Sequence, residues 1–257
     1  CGRITPWRTR SLYLKTLTRR GRLGYEVFWP RRAGPDAMTL KELIGAYRAL
    51  SGDRVLPPLV SDPLATIFAN EGETEACRRC DLLVESFAPM CSVPVSAGDP
   101  MVKLDNRITR IKRARMSAGA DQLLPVRVCD LDAHSAQWES ESGTPSHYAT
   151  DYQAGHLRLY PSPTATDTLL LTVCRLPEKP MEDDEFDEPE IRPETHMSLV
   201  QWMLYRAYSI QDSDLFDAKR AASALAEFER EFGIKRSARN EEWMRVHDHD
   251  IYAQPIA

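Results

Sequence analysis

The densest group of reactive side chains in the sequence is an acidic run, in which six of the seven residues 182–188 are Asp or Glu. Closely spaced carboxylates can bind calcium or magnesium. This run lacks the D-x-D-x-D-G spacing of a calcium loop, and Pro180 and Pro189 bracket it. Acidic residues placed just before a helix also favour the helix dipole. We therefore expect a solvated loop that precedes a helix rather than a metal site.

The other possible metal ligands are few and scattered. His247 and His249 alternate with Asp residues in a polar tail, without a further ligand nearby in the sequence. Cys77 and Cys80 form a C-R-R-C motif that lacks the second cysteine pair of a zinc site. We expect ordinary helix cysteines, and neither a metal nor a cofactor. The remaining histidines occur singly and are expected to be packed or surface residues: His134, His147, His156 and His196.

The sequence contains none of the short motifs that mark common catalytic mechanisms. It has no G-x-S-x-G, Walker loop, dinucleotide fingerprint or H-E-x-x-H. The hydroxyl side chains of residues 140–146 carry no sign of an activated nucleophile. We predict that the protein is not an enzyme and has no catalytic residue. A metal-dependent enzyme that uses the acidic run and the tail histidines stays open as an alternative.

Composition and charge limit the class of protein. The 257 residues include 33 Lys and Arg against 38 Asp and Glu, so the formal net charge is −5, and 42% of the residues are hydrophobic. These values are typical of a globular chain and exclude a collagen-like or wholly disordered one. The apolar runs are far shorter than the roughly 18 residues of a membrane span. With six sparse cysteines and no apolar segment in the first 30 residues, we expect reduced thiols and a cytoplasmic location.

The charge is concentrated in a basic N-terminal segment. Residues 1–37 hold eight Arg and one Lys against Glu26 and Asp36, so this segment carries +7 and the rest of the chain −12. Three interpretations stay open. The segment is an arm that binds nucleic acid or an acidic partner, or upstream sequence translated ahead of a start at Met38. Alternatively it is an ordered extension that packs its aromatic residues onto the body: Trp7, Tyr25, Phe28 and Trp29.

Helical patterns lie at both ends of the remaining chain. Residues 39–50 predict a helix with a capping box of Thr39 and Glu42 and a C-terminal cap at Gly52. A second helical stretch begins at residues 62–63 and continues to Phe87, ahead of Pro89, with Gly72 as a candidate break. Beyond Pro193, apolar stripes predict two more helices, over residues 199–210 and 213–233.

The middle of the chain is predicted to be mostly antiparallel β structure, with short β-type runs separated by Gly, Asp-Asn and Pro turns and one short helix over residues 130–138. The predicted fold class is α+β, a helical bundle formed by N- and C-terminal helices with an inserted antiparallel β module. The predicted divisions are the basic extension 1–37, helices 38–90, the β module 91–177, the acidic loop and helices 178–234, and the tail 235–257.

Aromatic side chains are concentrated on the C-terminal helices. Their area exceeds what one small helical pair must bury, and aromatic residues favour subunit interfaces. A purely internal core is the alternative. The subunit-interface candidates are Trp202, Tyr205, Tyr208 and Phe216.

The order of several segments resembles a known family. Residues 38–43 open a helix, residues 138–148 contain a W…G-x-P-x-x-Y stretch, and residues 157–163 contain an L-x-L-x-P-x-P stretch. Residues 190–199 then lead into the last helices. Over residues 38–235 this order resembles the head-to-tail adaptor proteins of short-tailed bacteriophages. The basic segment 1–37 has no counterpart in that resemblance.

The resemblance implies a structural virion protein at the head–tail interface, assembled in the host cytoplasm. Such proteins form a ring, usually of twelve copies, that docks below the portal, extends the DNA channel and receives the tail nozzle. Genome DNA would pass an acidic lumen without sequence-specific binding. The C-terminal tail would reach onto the portal, with these contact candidates: Lys235, Trp243, Met244, Ile251 and Tyr252. A nucleic-acid-binding protein that uses the Arg-rich arm remains the main alternative.

Overall fold

The computed structural model describes residues 37–119, 121–182, 186–211 and 214–235. The helices in these residues are α1 (Leu40–Ser51), α2 (Asp62–Cys80), α3 (Val128–His134), α4 (His196–Tyr208) and α5 (Ala218–Phe232). Strands fill much of the segment between α2 and α4, which confirms the predicted α+β class. No helix in the described part of the chain has both the length and the apolar composition needed to cross a membrane.

The first helix begins and ends as predicted. The Thr39 hydroxyl accepts a hydrogen bond from the Glu42 N–H at 3.3 Å, and the Glu42 carboxylate accepts one from the Thr39 N–H at 2.9 Å. Gly52 ends α1 in the left-handed conformation, with φ of +79°. These caps satisfy backbone groups that a helix leaves free at its ends.

The second helix differs from the prediction at its C-terminal end. It runs through Gly72 without a break and ends at Cys80, where Asp81 adopts a left-handed conformation. The predicted helical residues beyond this point instead form strand β1 (Leu83–Glu85), which pairs antiparallel with residues 173–175. Their apolar spacing fits a helix and a short strand equally well, and the distant strand partner decides between the two.

The four longer helices share one hydrophobic cluster, which draws on both ends of the described chain. Tyr47 from α1 and Phe68 from α2 lie in it together with Met203 from α4 and Phe228 from α5. Further side chains that are fully buried there include Leu40, Leu43, Leu199 and Phe232. Amphipathic helices are stable only when such faces are buried against one another.

The segment that leads into α4 is fixed to α2 by side-chain hydrogen bonds. The Asn70 side chain exchanges hydrogen bonds with the backbone of Met181 at 2.8 and 3.0 Å. One Glu73 carboxylate oxygen accepts the N–H groups of Glu190 and Ile191 at 2.5 and 3.3 Å. Both ends of the acidic run are therefore positioned by α2.

The strands form two main sheets and one small pair. They are β2 (Ser92–Val95), β3 (Met101–Lys103), β4 (Ile108–Met116), β5 (Leu124–Pro125), β6 (Ser142–Gly143), β7 (His147–Ala149), β8 (His156–Tyr160), β9 (Ser162–Pro163) and β10 (Asp167–Arg175). In the first sheet, β10 lies between β4 on one side and β1 and β2 on the other. The second sheet has the order β3-β8-β7-β5.

Three details of the β region differ from the prediction. The pairs β5–β7 and β6–β9 are parallel, so the module is not purely antiparallel. The β-type sequence of residues 125–128 forms strand only at Pro125, the last residue of β5, because α3 already begins at Val128. A short 3₁₀ turn at Trp138–Ser140 replaces the end of the predicted helix.

The two main sheets pack face to face over a second hydrophobic cluster. Leu169, Leu171 and Val173 of β10 contribute to it from the first sheet, and Leu157 and Leu159 of β8 contribute from the second. Because side chains alternate along a strand, the intervening residues of β10 and β8 point to the two outer faces. Those outer faces lie on opposite sides of the module.

Candidate interaction surfaces

The residues with possible metal or redox chemistry do not form a site in the described structure. Among the described residues, no group of three His, Cys, Asp or Glu side chains is arranged to hold a metal ion. Burial raises the pKa of the Cys77 thiol, whereas Cys80 is exposed and its thiol contacts the Phe232 carbonyl at 3.0 Å. His247 and His249, like residues 183–185 of the acidic run, lie outside the described residues.

The proposed subunit-interface aromatics are placed in two different environments. Trp202 is 6% exposed and packs against Phe228, with ring centroids 5.0 Å apart. Tyr208 is also buried, and Tyr205 is half-buried against Trp202. These three side chains therefore contribute to the core of their own subunit, because α2 and α5 supply cover that the sequence alone does not reveal. Phe216 is different, since half of its surface is exposed.

The start of the C-terminal tail is held by the end of α2. The Arg79 guanidinium donates to the Gly233 carbonyl at 2.8 Å and lies 5.1 Å from the Phe228 ring centroid. The Lys235 ammonium pairs with Glu75 at 3.3 Å. The chain therefore leaves the helices from a fixed point. The other predicted portal contacts lie outside the described residues: Trp243, Met244, Ile251 and Tyr252.

An apolar loop between α1 and α2 is the first exposed surface that the sequence interpretation missed. We call residues 54–59 the apolar loop. Leu56 is 93% exposed, and Val55 and Leu59 are about half exposed. Exposed apolar side chains grouped in this way mark surfaces that contact other molecules.

A buried carboxylate gives the apolar loop its shape. Asp53 is 2% exposed, and its two oxygens accept the N–H groups of Leu59 and Val60 at 2.9 and 3.0 Å. Arg48 pairs with Asp53 at 3.3 Å, donates to the Val60 carbonyl and also contacts Asp62. These bonds satisfy the loop backbone and hold the loop while its apolar side chains point outward.

A second exposed apolar side chain lies next to the first sheet, on a turn that a carboxylate also holds. Phe87 is 96% exposed and lies two residues after the end of β1. One oxygen of Glu85 accepts the N–H groups of Ser86, Phe87 and Ala88 at 2.9 to 3.3 Å. These hydrogen bonds lower the pKa of Glu85. In the sequence, the signal for this turn is the acidic Glu85 followed two residues later by the apolar Phe87. The prediction of a helix that continues to Phe87 obscured it.

The described structure therefore presents apolar side chains on carboxylate-held turns, which is typical of a protein that acts by binding other proteins. A family model described as "SU10 adaptor protein" matches residues 38–249. The chain belongs to the SU10 adaptor protein family and is a phage head–tail adaptor, a structural component of the virion. This match confirms the predicted resemblance and extends past residue 235 into the tail. No curated protein is detectably similar to the chain.

Proposed function

We propose that the protein forms a closed ring, of twelve copies, that docks below the portal, extends the DNA channel and receives the tail nozzle. Membership of the SU10 adaptor protein family supports a place among portal and tail proteins in the virion. The observation that carries the ring is the apolar loop, whose Leu56 is 93% exposed. Neighbouring subunits or the portal would bury that side chain.

Within the ring, each copy would act as one wedge made of a helical bundle and an inserted β module. The hydrophobic cluster that α1 and α2 share with α4 and α5 supports this arrangement. So does the hydrogen bond from the Met38 N–H to His196, which joins residues 158 positions apart at 3.0 Å. A ring transmits load between head and tail only if each wedge is rigid.

The C-terminal tail, residues 235–257, would reach onto the portal. Its departure point is fixed by the contacts of Arg79 and Lys235 with the helix ends. Trp243, Met244, Ile251 and Tyr252 would then serve as anchors, since a segment that orders on its partner needs apolar contacts. Among the four aromatic subunit-interface candidates, Phe216 has the most exposed area for a contact between subunits, and Tyr205 is partly available.

A single exposed substitution tests the proposal. Leu56→Asp places a charge where the side chain is 93% exposed, so the stability of the isolated subunit should stay unchanged. Sedimentation measures self-association of the full chain and its binding to the purified portal of the same phage. If an interface buries residue 56, the new carboxylate should weaken this assembly about tenfold or more. Ile67→Asp is the matched control, an exposed apolar side chain on the regular surface of α2.

The proposal fails if the wild-type chain binds neither the portal nor itself. It also fails if Leu56→Asp assembles as well as the wild type does.

A further inference from the structure

The outer face of the first sheet carries a row of basic side chains. In β4, Arg113 lies opposite Thr172 of β10, and Arg115 lies opposite Leu170. Residues paired across antiparallel strands point to the same side, so both arginines point away from the hydrophobic cluster. Lys112 lies at the irregularity just before Arg113 and is close to Cys174, whose side chain is on the same outer side. We call Lys112, Arg113 and Arg115 the basic face.

The charge of the basic face is not neutralised within the described structure. Arg110, which precedes these residues in β4, pairs with Asp81 at 3.1 Å. In contrast, no ion pair joins Lys112, Arg113 or Arg115 to an acid among the described residues. Lys112 and Arg113 are also exposed to solvent. Three cations therefore remain available to an anionic partner, on a chain whose residues beyond 37 carry a net charge of −12.

The opposite side of the β module carries carboxylates that are held without cations. A 3₁₀ turn and its neighbours cover the outer face of the second sheet, where Trp138 packs on Tyr160 with ring centroids 6.1 Å apart. On this cover lie four carboxylates without an ion pair among the described residues, which we call the acidic face: Asp132, Glu139, Glu141 and Asp151.

Neutral donors fix the acidic face in place. The Trp138 indole N–H donates to Asp132 at 2.8 Å, and the Tyr160 hydroxyl donates to Glu141 at 2.5 Å. The Tyr152 hydroxyl donates to Glu139 at 3.0 Å, and a backbone N–H donates to Asp151. Such donors orient the carboxylates and leave their negative charge uncompensated.

The cations near the acidic face are already engaged. Arg127 pairs with Asp130 at 2.8 Å. Arg158 is buried below the cover, with its guanidinium 4.6 Å from the Trp138 ring centroid and 4.4 Å from that of Tyr152. The acidic face therefore presents net negative charge on the side of the module opposite to the basic face.

We propose that, in the ring assigned under Proposed function, the basic face of each copy lies against the acidic face of the next. A ring of identical copies needs a head-to-tail contact between two different, complementary faces. Opposite charges on opposite sides of one module supply that contact. Two-fold pairing through either face would place like charges together, which is costly, so the same charges disfavour isolated dimers. A nucleic-acid partner would use the basic face alone and leave the acidic face without a role.

Charge reversal with rescue tests this contact. An acidic variant carries Arg113→Glu and Arg115→Glu, and a basic variant carries Glu139→Lys and Glu141→Lys. A control variant carries Arg192→Glu and Lys219→Glu, which changes the net charge as the acidic variant does at exposed helical-end positions. Each full-length chain is first shown to unfold like the wild type. Ring formation, with portal present if the wild type requires it, is then counted by electron microscopy.

Each variant alone should form rings only at a protein concentration at least about tenfold above that of the wild type. An equal mixture should restore rings in which the two variants alternate, because each reversed face then meets an opposite charge. Native mass spectrometry should find equal numbers of both. The control should assemble normally.

The inference is overturned if wild-type rings form and the single variants form them equally well. It is also overturned if the mixture fails although both chains are folded, or if the acidic variant loses only binding to duplex DNA. If the wild type forms no ring with or without portal, the proposed function itself fails, and that outcome is distinct from the others.

Discussion

Gly72 of α2 lies directly against Trp202 of α4, and a Cβ atom added at residue 72 would be 3.1 Å from the Trp202 side chain. Trp202 cannot easily move, because it also packs on Phe228 and lies 5.7 Å from the Arg79 guanidinium. The absence of a side chain at residue 72 therefore sets how closely the N-terminal and C-terminal helices approach. This contact accounts for a glycine in the middle of a continuous helix.

The first prediction concerns that contact. Gly72→Ala should lower the free energy of unfolding by about 1 kcal/mol, because overpacking outweighs the gain in helix propensity. In a Trp202→Leu background the same change should be neutral or stabilising. Gly45→Ala is the control, since a Cβ there meets no atom within 4 Å, and it should stabilise by about 0.5 to 1 kcal/mol. Urea unfolding of the wild type, the Gly72→Ala and Trp202→Leu single variants and the double variant measures the coupling, and additive effects would contradict the prediction.

The second prediction concerns the carboxylate below the apolar loop. Asp53→Ala should cost about 2 to 3 kcal/mol, because it leaves two backbone N–H groups without their acceptor and removes the buried carboxylate that pairs with Arg48. Asp62→Ala removes the exposed partner of the same arginine and should cost about 0.5 kcal/mol or less. Urea unfolding compares the two. Equal losses would show that Asp53 does not hold the loop.

The third prediction concerns pH. Burial raises the pKa of Glu73 to about 7, although two backbone N–H groups partly oppose the shift. An unfolded glutamate loses its proton near pH 4.5, so between that pH and about 7 the folded state holds the extra proton. The contribution of Glu73 to stability therefore falls as pH rises through this window and stays low above it.

Glu73→Gln removes the titrating carboxyl group but keeps an oxygen that can accept the Glu190 and Ile191 N–H groups. Relative to this variant, the wild type should lose about 2 kcal/mol of stability between pH 5 and pH 8. Urea unfolding of both chains at several pH values measures the difference. Parallel pH profiles for wild type and variant would refute the assignment of Glu73.

Local sequence signals predicted the elements that local contacts define. The caps of α1 depend on Thr39 and Glu42 three residues apart, and that spacing is visible in the sequence. The end of α2 was mispredicted because β1 depends on pairing with residues 173–175, about ninety positions away. A helical stripe and a short strand cannot be distinguished until that partner is placed.

The interaction surfaces were harder to predict for the same reason. Trp202 has the residue type of an interface, but Gly72 and Phe228 enclose it within the subunit. Leu56 has the residue type of a core, but hydrogen bonds to Asp53 turn its loop outward. In each case the three-dimensional neighbours, and not the residue type, decide which side chain remains for a partner.

We propose that copies of this chain close into a ring between portal and tail. Electron microscopy of the full-length chain assembled on the portal of the same phage would show such a ring. We expect a closed ring of twelve copies, with α1, α2, α4 and α5 as one body in each and the apolar loop buried at a contact. Copies that meet only as isolated pairs, or whose first and last helices belong to separate bodies, would contradict it.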